Sequence, residues 1–197
     1  MDRIKEMAVD KKIDETENIR FNRENQPLEY SIIRFMTEHN KTLSAAESCT
    51  GGLFSARLID VPGASAVYEA GFVTYSNKAK HKFLGVRKKT LKEYDAVSKE
   101  TAKEMVKGTL KETGADYAVS ITGLAGGNDG NGDNKSVENA DKKDEKPVGL
   151  VYIGCGRKKH VNVKEYLFNG NRTQIREASV RQAMLQLWEM LLSDFEN

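Results

Sequence analysis

The stretch TLSAAESCTGGLFSARLI, running from Thr42 to Ile59, decides the fold class. Thr42–Glu47 reads as a short strand. Thr50-Gly51-Gly52 then breaks the chain, and Leu53–Ile59 resumes with apolar residues at helical spacing. A strand that turns through glycines directly into a helix is a building unit of α/β sheets. The alternation continues outward. Upstream, Leu28, Ile32, Phe35 and Met36 share a helix face behind Pro27, a residue suited to a helix start. Downstream, Val61-Pro62-Gly63 is a turn, Val67–Tyr75 a strand, and Asn77–Leu84 a short helix stopped by Gly85. Ser98 is placed to cap a helix that runs to about Thr113 and stops at Gly114. Asp116–Thr122, DYAVSIT, is a buried strand that ends at Gly123. Val148–Cys155 and Val161–Phe168 form a hairpin around Gly156-Arg157-Lys158-Lys159. Beyond Gly170 a long helix carries Ile175, Ala178, Met184, Leu187, Trp188 and Leu191 on its core face. The expected class is α/β, a mixed sheet with helices on both faces.

Composition narrows the function classes. The 197 residues suit one domain with appendages. No apolar run approaches the ~18 residues a membrane span needs. The N-terminus lacks the apolar core of a secretory signal. Cys49 and Cys155 make no disulfide framework and belong to no zinc-ligand pattern, so a reducing cytoplasm is the expected setting. With 31 basic and 29 acidic residues the net charge is +2, which gives no electrostatic footprint for nucleic acid. The charge is segregated, however. Residues 1–26 hold seven acids and six bases and read as a charged extension. Residues 127–146, GNDGNGDNKSVENADKKDEK, hold six acids and four bases and read as a flexible insert. The remaining 151 residues carry a net +5.

Four segments carry candidate chemistry. In Glu47-Ser48-Cys49-Thr50-Gly51-Gly52 a strand ends and a helix starts. Clustered N–H groups and the helix dipole can hold a phosphate or an oxyanion there. Ser48 is a candidate nucleophile with Cys49, Thr50, Gly51 and Gly52 supplying the surrounding backbone. The plainer reading is that Ser48 or Thr50 caps the helix. Cys49 is an alternative nucleophile, although a lone buried cysteine is more often inert. In Tyr75-Ser76-Asn77-Lys78-Ala79-Lys80-His81-Lys82, a desolvated lysine near a helix start could serve as base for a serine; the plainer reading is a solvated basic face. His39, His81 and His160 form no evident pair, so lysine is the better partner for a serine. Thr122-Gly123-Leu124-Ala125-Gly126 brings a strand into a glycine-rich turn, where ligands bind in α/β folds, or is an ordinary loop entry. Arg172, with Arg176 one turn on, is either an anion ligand or a surface arginine.

Taken together, these segments resemble the CinA C-terminal domain family, whose enzymatic members are nicotinamide-nucleotide amidases. The resemblance is carried by Ala46-Glu47-Ser48-Cys49-Thr50-Gly51-Gly52, Gly71-Phe72-Val73-Thr74-Tyr75-Ser76-Asn77 with Lys80, Val97-Ser98, Asp116 to Gly126, Lys146-Pro147-Val148-Gly149 and the Phe168–Arg172 stretch. It covers about residues 28–192. It implies a single three-layer α/β/α domain over 27–197 and hydrolysis of nicotinamide mononucleotide to nicotinate mononucleotide and ammonia; the alternatives are a non-catalytic nucleotide-binding or interaction module of the same fold and an amidase for another small amide. Ser48 aligns with the family's nucleophile, and Lys80, rather than Lys78, with its catalytic lysine. Tyr75 aligns as a residue that orients or relays the proton, and Thr122 and Arg172 as substrate-site residues. The resemblance implies no metal and no cofactor, a small nucleotide as the substrate, and a homo-oligomer with neither nucleic-acid nor membrane partner. Length suggests the stand-alone form. One departure stands out: Gly127 occupies the position where the family usually has proline, and the following loop is expanded by the acidic insert.

Overall fold

The structure, a computed structural model, describes residues 27–126 and 146–195. The charged extension expected over 1–26 and the insert expected over 127–146, apart from Lys146, lie outside the described residues. In chain order the elements are α1 Leu28–Glu38, β1 Leu43–Glu47, α2 Leu53–Ile59, a 3-10 turn Ala64–Ala66 and β2 Tyr68–Val73. Then come α3 Asn77–Leu84, α4 Lys88–Glu93, α5 Lys99–Thr113 and β3 Tyr117–Gly123. The chain closes with β4 Leu150–Arg157, β5 His160–Leu167 and α6 Arg172–Phe195.

The five strands form one mixed sheet in the order β2-β1-β3-β4-β5. β1 runs parallel to both β2 and β3, whereas β3, β4 and β5 are successively antiparallel. Helices cover both faces, so the architecture is α/β/α. On one face α1, α2 and α6 bury Ile32, Met36, Phe54, Leu58, Ile175, Leu187 and Leu191 against Leu43, Ala45, Val119, Ile121 and Ile153. Each fully buried aliphatic or aromatic side chain of this kind contributes about 1.5–3 kcal/mol.

The opposite face is built from small residues. Ser44 pairs with Ala118 and Ala118 with Gly156; Ala46 pairs with Ser120 and Ser120 with Gly154. A Cβ at Gly154 would stand 2.7 Å from a Val106 methyl of α5. The smooth floor lets α5 lie close to the sheet. Ser98 caps α5 by accepting from the Thr101 N–H at 3.2 Å, and Gly114 ends it in the left-handed region at φ 72°.

Several boundaries differ from the reading of the sequence, each for a local reason. Pro27 precedes α1 in an extended conformation (ψ 148°) and caps it instead of joining its first turn. Thr42 stays outside β1 because its N–H and hydroxyl turn to the Asp116 carboxylate. The hairpin turns on Lys158-Lys159 alone, since Arg157 already pairs with His160. Helix α4 is unannounced in the sequence: of KKTLKE only Thr90 is buried, so no apolar stripe exists to read. No described helix is long and apolar enough to cross a membrane.

Candidate active site

Parallel pairing of β1 with its two neighbours brings the carboxyl ends of β1 and β2 and the last residues of β3 to one edge of the sheet. Ser48, the first residue past β1, extends the pairing by donating its N–H to the Ile121 carbonyl at 2.9 Å. On the other side the Thr74 N–H donates to the Glu47 carbonyl at 2.8 Å. The nucleophile candidate is thus tied by backbone to both flanking strands.

Lys80 enters from α3. Ser76 caps that helix by accepting from the Ala79 N–H at 3.1 Å. Lys80 therefore lies inside the first turn, and a long helical side chain there leans back toward the helix start. Its Nζ reaches the Ser48 Oγ at 2.9 Å and donates to the Thr74 carbonyl at 2.8 Å, with the Tyr75 carbonyl at 3.5 Å. Lys80 is 0% exposed and Ser48 8%, while Lys78 and Lys82 lie in solvent. Burial disfavours the ammonium and pulls the Lys80 pKa down to about 8, against smaller opposing effects of Cys49 and Asp95. The one buried lysine among the described residues is thus the one in contact with the serine.

Cys49 is also buried, and desolvation pushes its thiol up to about 11. It stays protonated at neutral pH, so the thiolate a cysteine nucleophile needs is suppressed.

The helix start itself departs from expectation. Gly51 (φ 60°) and Gly52 (φ 96°) both take left-handed conformations, which explains the glycine pair. The sequence pattern points to open amides in this turn, but several of them are already taken. The N–H groups of Gly52 and Phe54 donate to Glu47 Oε2, both at 3.0 Å, and the Ser55 N–H donates to Oε1 at 2.9 Å. The Gly51 N–H turns back to the Ser48 carbonyl at 3.1 Å. Glu47, 0% exposed, therefore occupies the anion position of α2 with its own carboxylate. The Cys49 and Thr50 N–H groups next to the serine make none of these bonds and are the candidate donors to an oxyanion.

The rim is made by α6 and the loops facing it. Arg172 donates to the Tyr75 hydroxyl at 3.2 Å, and Tyr75 is 63% exposed. The Tyr75 hydroxyl thus meets Arg172, and its backbone carbonyl, rather than its ring, faces Lys80. One turn on, Arg176 donates to the Thr50 carbonyl at 2.8 Å and holds the serine loop from the α6 side. Gly126 leaves room beside Arg172, whose side chain a Cβ there would approach to 3.5 Å. Thr122 is buried and donates its hydroxyl to the Ala96 carbonyl at 2.8 Å. Gly123 is required by packing: a Cβ would stand 2.6 Å from a Val151 methyl. Among the described residues no group of three or more His, Cys, Asp or Glu side chains is placed to hold a metal ion.

Residues 25–191 match the model of the CinA C-terminal domain. This chain belongs to that family. Among solved structures, the competence/damage inducible protein CihA from Agrobacterium tumefaciens is 40% identical with a TM-score of 0.73; the match covers 83% of this chain and 93% of that one. A CinA superfamily protein from Klebsiella pneumoniae is 32% identical with a TM-score of 0.74, over 84% and 96% of the two chains. In sequence, a CinA-like protein of Endomicrobium trichonymphae is 45% identical over 160 residues, 81% of this chain and 35% of that protein. A CinA-like protein of Thermotoga sp. (strain RQ2) is 40% identical over 183 residues, 93% of this chain and 42% of that protein. This CinA domain therefore spans well under half the length of such relatives.

Two residues of the CinA domain's site were not given roles from sequence. Glu47 is read as the last residue of a strand, and its one signal is an acid at the end of an otherwise small and apolar run, just before a helix start. Arg176 is noted only as a neighbour of Arg172, because nothing local shows that it reaches back to Thr50.

Proposed function

We propose that this chain is an amidohydrolase that converts nicotinamide mononucleotide to nicotinate mononucleotide and ammonia. The observation that carries this reading is the buried contact between Lys80 Nζ and Ser48 Oγ. The choice of substrate rests on family membership. A neutral Lys80 keeps its N–H groups on the Thr74 and Tyr75 carbonyls, which leaves its lone pair for the serine proton. Ser48 Oγ attacks the carboxamide carbon as its proton passes to Lys80. The tetrahedral oxyanion is held by the N–H groups of Cys49 and Thr50, and one such donor is typically worth about 10²–10³ in rate. Lys80 then returns that proton to the carboxamide nitrogen, the C–N bond breaks and the nitrogen leaves as ammonia. Water, activated by the same lysine, cleaves the acyl ester, releases the carboxylate and restores Ser48. No cofactor enters these steps. Arg172 and Tyr75, with Gly126 leaving space beside them, form the rim that receives the nucleotide's phosphate and ribose. Thr122 and Gly123, the last residues of β3, lie at the same sheet edge.

The test is ammonia release from nicotinamide mononucleotide without added metal. Ser48→Ala and Lys80→Ala should each abolish turnover in a folded protein, whereas Cys49→Ala should retain it. Full activity in either of the first two variants would overturn the assignment.

A further inference from the structure

The amide accounting at α2 leaves a buried acid whose role the Ser48–Lys80 pair does not explain. Glu47 precedes the serine directly and is fully buried. Its two carboxylate oxygens accept from the N–H groups of Gly52, Phe54 and Ser55 and from the Ser55 hydroxyl at 2.6 Å. The Ser55 hydroxyl lies 2.6 Å from the Tyr68 hydroxyl of β2, so the cluster is anchored on a second strand. A buried carboxylate is tolerated only when its oxygens are satisfied by donors. Here every donor but that of Ser55 Oγ is backbone, from Gly52 of the turn that follows Ser48 and from Phe54 and Ser55 in the first turn of α2.

We infer that Glu47 is the positioning residue for the nucleophile: its carboxylate fixes the left-handed Gly51-Gly52 turn and thereby holds Ser48 Oγ against Lys80 Nζ. The geometry separates two tasks. Glu47 fills the helix-start amides, so an anionic group of the substrate finds no seat there. The Cys49 and Thr50 amides stay available for the oxyanion. The Thr50 carbonyl is held from the opposite side by Arg176, so the serine loop is clamped between a carboxylate and a guanidinium. This inference rests on the reading of Ser48 as nucleophile.

Glu47→Gln tests it. The variant offers one carbonyl oxygen where four donors converged, and its NH2 group faces N–H donors it cannot satisfy. The probe is a fluorophosphonate, which phosphonylates an activated serine with loss of fluoride and does not depend on the identity of the substrate. Wild-type protein should label at Ser48, and Ser48→Ala should not. At a temperature well below its own melting point, Glu47→Gln should label about tenfold to a hundredfold more slowly, the scale expected for ångström-level misplacement of a reacting group. With nicotinamide mononucleotide the loss should fall on kcat, with KM within about twofold. A merely structural carboxylate would lower the melting temperature and leave the folded protein's labelling rate unchanged. Wild-type labelling of Glu47→Gln, or a loss confined to KM, overturns the inference. If Glu47→Gln does not fold, Ser55→Ala removes one donor and leaves the carboxylate in place; it should slow labelling severalfold, and an unchanged rate overturns the inference equally. Absence of labelling in the wild type is a separate result: it removes the nucleophile reading, and the positioning role falls with it.

Discussion

Lys80 is a residue that the fold carries at a cost. Its folded pKa of about 8 lies below its ordinary 10.5, because burial disfavours the ammonium. At pH 7 it must be kept charged in a dry site, which at about 1.4 kcal/mol per unit costs roughly 3 kcal/mol. Between pH 8 and 10.5 the unfolded chain binds this proton and the folded chain does not, so stability rises with pH across that window. Lys80→Met, which keeps the length and removes the charge, should be more stable than wild type at pH 7. The expected gain is about 1–2 kcal/mol after allowing for the hydrogen bonds lost at Ser48 and Thr74. Relative to Lys80→Met, wild type should recover stability from pH 8 to 10.5 in urea titrations. Activity should also rise with pH, but below the folded pKa instead of above it. If neutral Lys80 is the base, kcat/KM should rise about tenfold per unit below pH 8 and level off above it. Lys80→Arg, charged at every accessible pH, should show no such rise.

Most of the elements could be read from the sequence because their signals are local. Helix α2 begins after Gly51-Gly52, α3 stops at Gly85, and α5 runs from Ser98 to Gly114, as those residues signal. Helix α4 could not be read, since a two-turn helix held by the Arg87–Glu104 and Thr90–Glu104 contacts has no periodic apolar face. Packing of element on element was also hidden. Gly108 stands mid-helix in α5, where its usual cost against alanine is about 1 kcal/mol. The structure gives the reason: a Cβ at Gly108 would run into the Leu84 carbonyl oxygen at the end of α3. Gly108→Ala should therefore destabilise the protein by about 1–3 kcal/mol, against the helix-propensity gain, by forcing α3 and α5 apart. Equilibrium unfolding measures it. Because α3 carries Lys80, turnover should fall as well, and a stabilised Gly108→Ala with full activity would show that the two helices have room to spare.

At the scale of the whole molecule, the site exists only through topology. Ser48 and Lys80 are 32 residues apart in sequence and meet because β2 returns parallel to β1 and releases α3 at the same sheet edge. Sequence alone could point to the helix start and to a group of lysines. It could not choose Lys80 without the family resemblance, since the choice depends on which side chain the sheet buries. Among the described residues the buried hydrophobic side chains lie between Leu28 and Leu191, and the family match begins at residue 25. Helix α1 receives its start from Pro27, whose carbonyl accepts from the Tyr30 N–H at 3.0 Å. A chain beginning at residue 25 should therefore keep the core and the Ser48–Lys80 contact. Its melting temperature should stay within about 4 °C of the full chain, a difference of roughly 1 kcal/mol for a domain this size. Ammonia release should be retained. A larger drop in melting temperature, or loss of turnover at unchanged stability, would place residues 1–24 in the core or at the site and overturn the boundary drawn at Pro27.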